Sequence, residues 1–487
     1  MRRFTTVIIV LLCTAVAGAQ PQPAARAETA EAATARRFAA IRKDPLPLLA
    51  FLHEMPKGGD LHNHLSGAIY AESFLRWSAD DKLCLARTTM VIVACGGQAD
   101  QVAVADILSN QSVYSALYNQ AIDALSMRNW NPALNGHDHF FQAFAKFGPA
   151  SGKTGDMLAE VTSRAAAEHV SYLELMLTPA GTAAFQFASN LKWPVDPSPN
   201  FAPLREELLE AGFGAAVKDE AKRRLDTAEA RQRDLLRCGT PQQDAGCRVT
   251  VRYIAQVARG STPAQVFTLM VAGFELAGVD LRIVSLNLVQ PEDDPTAVRD
   301  FRLQMAMLGF LHKQYPAVPI TMHAGELAEG LVPPEVMRFH IAETVKAGAT
   351  RIGHGVDIFH EDDPIALLKE MAAKNVLVEI ALSSNDQILG VKGKRHPLRM
   401  YLQHGVPVAL VTDDMGVARS DHTHEFLKAV EEQDLDYPTL KRLVRNSIEH
   451  AFADPATKTR LKSDLEALFS AFERRQAALG SRPPTRR

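Results

Sequence analysis

The sequence predicts an α/β protein built as a (β/α)8 barrel, with helical insertions and an N-terminal signal peptide. The chain has 487 residues, of which 47% are hydrophobic and 22% charged, which is the composition of a globular protein with a large core. Short apolar, β-branched runs alternate with segments of helical length, a pattern typical of parallel strands joined by crossover helices. About eight such units are present, and eight of them close into a barrel.

The candidate strands are short, and helical segments follow most of them. Several of these segments begin with proline, which favours the first turn of a helix. The expected strands are Gly59–Leu65, Val170–Leu177, Val249–Val257, Leu281–Val289, Val318–His323, Arg351–Gly355, Val376–Leu382 and Val408–Thr412. The expected helices include Pro263–Leu276, Pro295–Lys313, Pro334–Ala347 and Pro364–Ala373.

An open, doubly wound sheet is the alternative fold. That fold places a glycine-rich phosphate-binding turn after its first strand. Here the first strand ends in His62-Asn63-His64, which favours the closed barrel.

The chain divides into a short leader, one large domain and a tail. The two insertions follow expected strands, where added segments usually lie over the active face of a barrel. We expect a signal peptide at 1–19, a mobile leader at 20–43, a barrel domain at 44–475 with insertions at about 79–111 and 181–247, and a tail at 476–487.

The first nineteen residues have the three parts of a signal peptide. Arg2 and Arg3 precede the apolar run Phe4–Val16, and Ala17-Gly18-Ala19 is a cleavage pattern. A membrane anchor is the alternative, but a spanning helix needs about 20 apolar residues. We therefore expect export to the periplasm or the medium, without stable membrane insertion.

The net charge of the chain argues against some classes of binding partner and identifies none. The formal net charge is −3, which does not suggest a nucleic-acid partner. We expect a small-molecule substrate, and the sequence leaves the oligomeric state open.

Four cysteines follow the signal peptide: Cys84, Cys95, Cys238 and Cys247. An even number in an exported chain suggests disulfides, and three pairings are possible. Free or metal-binding thiols are the alternative, but neither local pair has the C-x-x-C spacing of a zinc knuckle. We expect the local pairs Cys84–Cys95 and Cys238–Cys247.

His62 and His64 are two residues apart on a strand, so both imidazoles face the same side. Such a pair alone is weak evidence for a metal. Two further pairs, His137/His139 and His422/His424, are interpreted as surface or loop residues.

Further polar residues stand at the ends of later strands. They are His323, Glu326, His354, Asp413 and Asp414. Each alone has a structural explanation, such as a hydrogen-bonded core histidine or a carboxylate that caps a helix. Together they lie at the carboxyl ends of barrel strands, which form the catalytic face. Three histidines and one carboxylate suit a single catalytic zinc, and the remaining histidine and glutamate are free for proton transfer.

These motifs, taken in order, resemble the adenosine deaminase family, including its secreted members. The matching segments are Met55-Pro-Lys-Gly-Gly-Asp-Leu-His-Asn-His-Leu-Ser-Gly, Thr321-Met-His-Ala-Gly-Glu, Arg351-Ile-Gly-His-Gly, Ser383-Ser-Asn, His396-Pro-Leu-Arg and Thr412-Asp-Asp. The H-x-E and P-C-x-x-C signature of cytidine-type deaminases is absent from the sequence.

The resemblance implies a role for each matching residue. His62, His64, His323 and Asp413 are similar to the ligands of one zinc ion per chain, and Asp413 also to a catalytic residue. Glu326 is similar to the acid that protonates purine N1, and His354 to the residue that orients and deprotonates the attacking water. Asp414 is similar to the residue that faces N7, and His64 also borders the substrate.

The chain departs from the family pattern at residues that face the substrate. Ser66 replaces the usual aspartate that contacts ribose, and Gln290 replaces the glycine whose backbone meets purine N3. Met415 replaces the usual proline after the paired aspartates. We expect the deamination machinery to be intact and the sugar to be recognised differently, with compensating contacts sought near Phe140, Phe141 or Trp193.

The resemblance therefore implies zinc-dependent hydrolytic deamination of adenosine, and of 2′-deoxyadenosine, to inosine and ammonia. One alternative is another 6-aminopurine, such as a 5′-modified adenosine or adenine. A binuclear amidohydrolase is disfavoured, because it would want a lysine where the fourth strand ends in Asn287-Leu288-Val289-Gln290. A secreted, non-catalytic nucleoside-binding protein is a third alternative.

Overall fold

The computed structural model describes residues 28–131, 136–196 and 198–480. The expected signal peptide at 1–19 lies outside these residues. No described helix combines the length and the apolar run that crossing a bilayer requires.

The strands of the described residues come in two groups, eight that form a barrel and three in the first insertion. The barrel strands are β1 (Gly58–His64), β5 (Val170–Leu177), β6 (Thr250–Ala258), β7 (Ile283–Val289), β8 (Thr321–Ala324), β9 (Arg351–His354), β10 (Leu377–Ile380) and β11 (Val408–Leu410). The insertion strands are β2 (Leu83–Ala86), β3 (Ile92–Ala94) and β4 (Gln101–Ala103).

All ladders between neighbouring barrel strands are parallel. They form two half-barrels, in the orders β1-β5-β6-β7 and β8-β9-β10-β11. One seam closes through the backbone of Asp413, whose N–H donates to His62 O at 2.9 Å and whose carbonyl accepts from His64 N at 3.2 Å. At the other seam, between β7 and β8, Thr321 N donates to Ser285 Oγ at 3.2 Å. The predicted barrel is confirmed.

Helices surround the barrel, and several begin at proline as expected. They are α1 (Ala30–Ile41), α2 (Pro45–Glu54), α3 (Ala71–Asp80), α4 (Val104–Ser109), α5 (Gln111–Ala124), α6 (Gly136–Phe147), α7 (Thr154–Ala167), α8 (Gly181–Ala188), α9 (Phe201–Glu210), α10 (Phe213–Leu235), α11 (Pro263–Ala277), α12 (Pro295–Gln314), α13 (His340–Ala347), α14 (Pro364–Ala373), α15 (Leu382–Leu389), α16 (Leu398–Gln403), α17 (Met415–Ala418), α18 (His422–Glu431), α19 (Tyr437–Glu449) and α20 (Pro455–Gly480). Short 3-10 helices cover Gly148–Ala150, Ala245–Arg248, Val336–Arg338, Ile358–His360 and Gly393–Arg395. The helix expected from Pro334 begins only at His340, after one of these 3-10 turns.

The leader and the tail are more ordered than the sequence suggests. Residues 30–41 form α1, where Phe38 is buried and Thr34 Oγ1 donates to Glu473 O of α20 at 3.2 Å. Helix α20 continues to Gly480, and Gln476 is buried. The expectation of a mobile leader is wrong for 30–41, and that of a separate tail is wrong for 476–480, because each helix buries a face against the other.

The insertions carry the two disulfides. In the first insertion β2 pairs with β3 and β4 in a small antiparallel sheet, and Cys84 is bonded to Cys95. In the second, α8, α9 and α10 precede the Cys238–Cys247 bond. Both predicted pairings are confirmed.

The two other histidine pairs lie on helices, so their interpretation as surface or loop residues is wrong in part. His137 in α6 and His422 at the start of α18 are buried. His137 Nε2 contacts Asp293 Oδ1 at 2.9 Å, and His422 Nε2 contacts Leu410 O at 3.1 Å. Residues two apart on a helix face different directions, so neither pair converges on one point as His62 and His64 do.

Candidate metal and catalytic centre

Three imidazoles and one carboxylate converge at the carboxyl end of the barrel. His62 Nε2 lies 3.1 Å from His323 Nε2, and His64 Nε2 lies 3.3 Å from the same atom. Asp413 Oδ1 is 3.5 Å from His62 Nε2 and 3.4 Å from His64 Nε2. All four side chains are buried. The structure thus brings together the four residues that the sequence proposes as metal ligands.

Hydrogen bonds at the outer ring nitrogens decide what two of the Nε2 atoms do. Asn287 Oδ1 accepts from the backbone N–H of His323 at 2.8 Å and from His323 Nδ1 at 2.9 Å. His62 Nδ1 donates to Glu379 Oε2 at 2.7 Å. With the proton on Nδ1, each neutral ring directs a lone pair from Nε2 into the cluster.

The lone pairs of His62 Nε2 and His323 Nε2 face each other at 3.1 Å and repel. A positive charge between or beside the two nitrogens is needed to offset this repulsion. Ligands held about 2.0–2.1 Å from a tetrahedral zinc lie about 3.3 Å apart, which matches the separations in the cluster. Asp413 Oδ1 is buried and has no hydrogen-bond partner, while Asp413 Oδ2 accepts from Ser384 Oγ at 2.6 Å. The four residues therefore fit a single zinc ion.

The electrostatics of the cluster also favour a cation. Burial lowers the pKa of His62, but the neighbouring carboxylates of Asp413 and Glu379 outweigh burial and raise that pKa to about 10. Burial lowers the pKa of His64 to about 4. The carboxylates thus attract one positive charge to the centre, whereas the crowded imidazoles resist becoming cationic together.

Glu326 stands beside this cluster, held through its backbone. Its N–H donates to Glu292 Oε2 at 2.8 Å, and Glu292 Oε1 accepts from His340 Nδ1 at 2.6 Å. Glu326 Oε1 lies 3.6 Å from His354 Nε2. Burial, together with repulsion from Asp413 and Glu292, raises the pKa of Glu326 well above its usual range. A carboxyl group that keeps its proton near neutral pH can act as a general acid.

A chain of buried hydrogen bonds orients His354. The N–H of Leu398 donates to His396 Nδ1 at 3.2 Å, so the neutral His396 carries its proton on Nε2, which donates to Asn385 Oδ1 at 3.0 Å. Asn385 Nδ2 then donates to His354 Nδ1 at 2.9 Å. Burial lowers the pKa of His354 to about 4. The neutral ring therefore has its proton on Nε2, which is buried, without a hydrogen-bond partner, and directed toward the centre.

Two glycines make room for the functional side chains. A Cβ on Gly67 would lie 1.6 Å from Asp414 Oδ1, and a Cβ on Gly353 would lie 2.8 Å from the His62 ring. These contacts explain why glycine stands next to the first histidine motif and directly before His354.

Three residues at the strand ends adopt a left-handed backbone that side chains seldom take. The φ angles are 68° at His354, 55° at Asp413 and 82° at Gln290. Such conformations cost of order 1–3 kcal/mol each and cluster at functional sites. At Gln290 the backbone keeps a conformation that suits glycine, and its side chain turns aside to accept from Gly260 N at 2.9 Å.

A cavity of about 400 Å³ opens above the centre. His64, His323, Glu326, Asp413 and Asp414 form its floor, and its walls include Ser66, Gln290, Phe141 and Phe144. His64, Ser66, Gln290 and Asp414, which the sequence places at the substrate, therefore border one cavity, and so does Phe141. Trp193 does not, because it packs against Phe201 and Phe267.

Several supporting residues were missed by sequence reasoning. They are Gln256, whose amide contacts His64 Nδ1 at 3.1 Å, and Asn287, Glu292, Glu379 and Asn385, described above. Glu379 offered a signal, since a carboxylate within the apolar run Val376-Leu-Val-Glu-Ile is unusual. Asn287 and Gln256 offered a weaker signal of the same kind, because each is an uncharged polar residue within a strand. Asn385 lies in the matching segment Ser383-Ser-Asn, to which no role was assigned, and Glu292 lies outside the strands.

Comparison with curated proteins finds adenosine deaminases. The chain is 33% identical over 154 residues to the enzyme of Enterococcus faecalis, an alignment covering 31% of this chain and 42% of that protein. It is 38% identical over 153 residues to that of Shewanella loihica, covering 31% and 41%. The chain thus spans about two fifths of the length of these curated relatives.

Solved structures share the fold at low sequence identity. The N6-mAMP deaminase of Arabidopsis matches with a TM-score of 0.54 and 19% identity, covering 86% of this chain and 99% of that one. A zinc-bound amidohydrolase from Burkholderia ambifaria matches with a TM-score of 0.51 and 18% identity, covering 89% and 95%.

The family model for adenosine deaminase matches residues 152–468, more than half of the chain. The matched region contains β5 to β11 and the residues from His323 to Asp414, while β1 with His62 and His64 precedes it. These two histidines nevertheless complete the centre in space. The chain belongs to the adenosine deaminase family.

Proposed function

We propose that the protein is a zinc-dependent aminohydrolase that removes the 6-amino group of a purine nucleoside, with adenosine and 2′-deoxyadenosine as the expected nucleosides. The observation that carries the proposal is Glu326, a buried carboxyl group with a raised pKa, in the cavity that borders the cluster of His62, His64, His323 and Asp413. Zinc held by His62, His64, His323 and Asp413 would lower the pKa of a water molecule from 15.7 to about 7.

The reaction exchanges the amino group for the oxygen of water. The oxygen bonds to C6, the C6–N6 bond breaks, and the two protons of water end on N1 and on the departing ammonia. Attack at C6 places negative charge on the ring, and a proton delivered by Glu326 to N1 relieves it. Asp414 borders the same cavity and faces the opposite edge of the base, at N7.

The proton on His354 Nε2 changes the role that family resemblance implies for this residue. A nitrogen that already carries a proton donates a hydrogen bond and does not accept a proton from water. We therefore assign His354 to orienting the reacting oxygen and stabilising its charge. Asn385 and His396 act as positioning residues through the hydrogen bonds described above.

Two alternative functions are less well supported. A binuclear hydrolase would need a bridging lysine at the end of β7, where this chain has Val289 and Gln290. A purely binding protein has no need of a buried carboxyl group beside a metal centre, yet this chain has Glu326 next to all four candidate ligands.

The test is ammonia release by zinc-loaded protein from adenosine, 2′-deoxyadenosine, AMP, 5′-methylthioadenosine and adenine, repeated after zinc removal. We expect turnover of at least one nucleoside or nucleotide, its loss on chelation, and its return with added zinc. Tight binding without ammonia from any of the five would contradict the proposal and favour a binding protein.

We also propose that the protein is exported. Support comes from the signal-peptide pattern at residues 1–19 and from the two disulfides, which persist in oxidising compartments. N-terminal sequencing of protein from the periplasm and the medium should begin at Gln20. Recovery of the full-length chain only from the cytoplasm would contradict export.

A further inference from the structure

A second cavity adjoins the one that holds the catalytic centre. It measures about 230 Å³, and both Ser66 and Gln256 line the two cavities. Gln256 joins them physically, because its amide contacts His64 Nδ1 at 3.1 Å on one side and Thr178 Oγ1 at 3.3 Å on the other. Ser66 lies on the shared border, so a group that passes Ser66 from the catalytic cavity would reach the second cavity.

The lining of the second cavity suits an anion. Hydroxyl groups come from Ser66, Ser151, Thr154 and Thr178. Ser151 Oγ already donates to Gly148 O at 2.7 Å and Thr178 Oγ1 to Gln256 Oε1 at 3.3 Å, so Ser66 and Thr154 supply the hydroxyl donors for a ligand. Among the described residues that line it, Arg224 is the one charged side chain, and no carboxylate lines it. Hydroxyl donors with a guanidinium and without carboxylates form a site that favours phosphate over a neutral group.

The guanidinium of Arg224 has N–H donors available for a ligand. Its side chain is 52% exposed, and Nη1 contacts Glu220 Oε1 at 3.2 Å. Glu220 is already held by the backbone, since it accepts from Thr182 N at 3.2 Å and from Ala183 N at 2.7 Å. A guanidinium has five N–H donors, so one contact leaves most of them available.

The adjoining helix has the polarity that an anion needs. Helix α7 begins at Thr154, which lines the cavity, and Lys153 before it makes no capping side-chain hydrogen bond. The N-terminus of a helix carries partial positive charge and binds anions through backbone N–H groups. This helix end adds to the arginine and the hydroxyls and does not define the site alone.

The reacting purine fixes which part of the substrate arrives there. With C6 at the metal centre, N1 at Glu326 and N7 at Asp414, the N9 edge that carries the sugar faces away from the metal. Ser66 lines both cavities, so we infer that the sugar lies toward Ser66. Ser66 is neutral, so it does not repel a negative group as a carboxylate would. From the sugar, the 5′ substituent is the group that continues past Ser66.

We propose that the second cavity binds the 5′-phosphate of the substrate, so that a 6-aminopurine nucleoside 5′-monophosphate is the preferred substrate class. The inference rests on the proposed deaminase function. It places the nucleoside 5′-monophosphate above the free nucleoside in substrate preference. Arg224, which comes from the 181–247 insertion, is the specificity-determining residue, and the hydroxyls of Ser66 and Thr154 complete the phosphate site.

The test compares AMP with adenosine in zinc-loaded protein, with 5′-methylthioadenosine as a neutral 5′ substituent. We expect kcat/KM for AMP to exceed that for adenosine at least tenfold, and this AMP-to-adenosine ratio to fall at least tenfold in Arg224→Gln. Arg224→Lys should recover part of the ratio, because it restores the charge. The matched control is Arg223→Gln, next on the same helix but not lining this cavity, and its ratio should equal that of the native protein.

Binding of the products provides a readout that does not depend on turnover. Calorimetry should show IMP binding at least tenfold more tightly than inosine, with this preference lost in Arg224→Gln and kept in Arg223→Gln. Equal affinity for IMP and inosine, or an equal preference in all variants, would overturn the phosphate site even if adenosine is deaminated. Absence of ammonia from every substrate, with a preference for IMP that requires Arg224, would instead overturn the proposed catalysis and support the site.

Discussion

Glu379 joins the metal centre to the buried charge network of the barrel. Its Oε2 accepts from His62 Nδ1 at 2.7 Å, and its Oε1 accepts from Thr321 Oγ1 at 2.8 Å. The same Oε1 forms an ion pair with Arg351, 2.6 Å from Nε. Arg351 is fully buried, and its second carboxylate partner is Glu174, at 2.5 Å. Glu379 therefore orients His62 and balances part of the charge on Arg351.

Substitution Glu379→Gln preserves the shape and removes the charge. Losing a carboxylate behind a metal-binding histidine typically weakens metal affinity 10–100-fold, or about 1.4–2.8 kcal/mol. We expect the zinc Kd to rise by this factor. In the variant, Arg351 is left with Glu174 as its carboxylate partner, so part of its buried charge is no longer balanced. We therefore also expect the Tm of the zinc-free protein to fall.

The assay is competition for zinc against a chromophoric chelator, with thermal melting of the zinc-free protein alongside. The matched control is Glu370→Gln on α14, a half-exposed carboxylate whose contact with Lys374 at 2.6 Å lies on the surface. Its effect on stability should stay within about 0.5 kcal/mol, as for most surface substitutions. A zinc Kd in Glu379→Gln within twofold of the native value would refute the argument that this carboxylate supports the centre.

Three further predictions concern the acid, the hydrogen-bond chain and the first disulfide. Glu326→Gln should fold and bind zinc but lose about 10²–10⁴-fold in kcat, because an amide cannot deliver a proton to N1; near-normal turnover would contradict its role as acid. Asn385→Asp should place the proton of His354 on Nδ1, which nitrogen-15 NMR of the labelled imidazole would detect, and an unchanged proton on Nε2 would contradict the assigned orientation. Cys84→Ser should destabilise the protein by about 3 kcal/mol, because its bond to Cys95 closes a short loop, and an unchanged melting curve would show that this constraint does not stabilise the fold.

The sequence predicts the barrel well because its signals are local. Apolar runs bounded by turns mark the strands, and β5 occupies the expected residues while the others differ by a few at their ends. The parallel barrel then brings the ends of distant strands together, so His62, His323 and Asp413 were predicted to meet without knowledge of any contact.

The errors and omissions are those that depend on distant packing. Helix α1 is Ala-rich and weakly patterned, and it is ordered by its contact with α20, more than 400 residues later. The orientation of His354 depends on Asn385 and His396. Their hydrogen bonds join the end of β9 to helix α15 and to the residues just before α16. The second cavity, which we propose as the 5′-phosphate site, combines the end of β5 with the insertion helix α10, and neither segment alone indicates a ligand.

The central claim is that His62, His64, His323 and Asp413 hold one zinc ion. The most direct measurement is elemental analysis of the purified protein beside the double variant His62→Ala, His323→Ala, both checked for folding by circular dichroism. We expect about one zinc per chain in the native protein, as for a mononuclear catalytic site, and no zinc in the folded variant. Absence of metal from native protein exposed to zinc, or one equivalent retained by the variant, would contradict it.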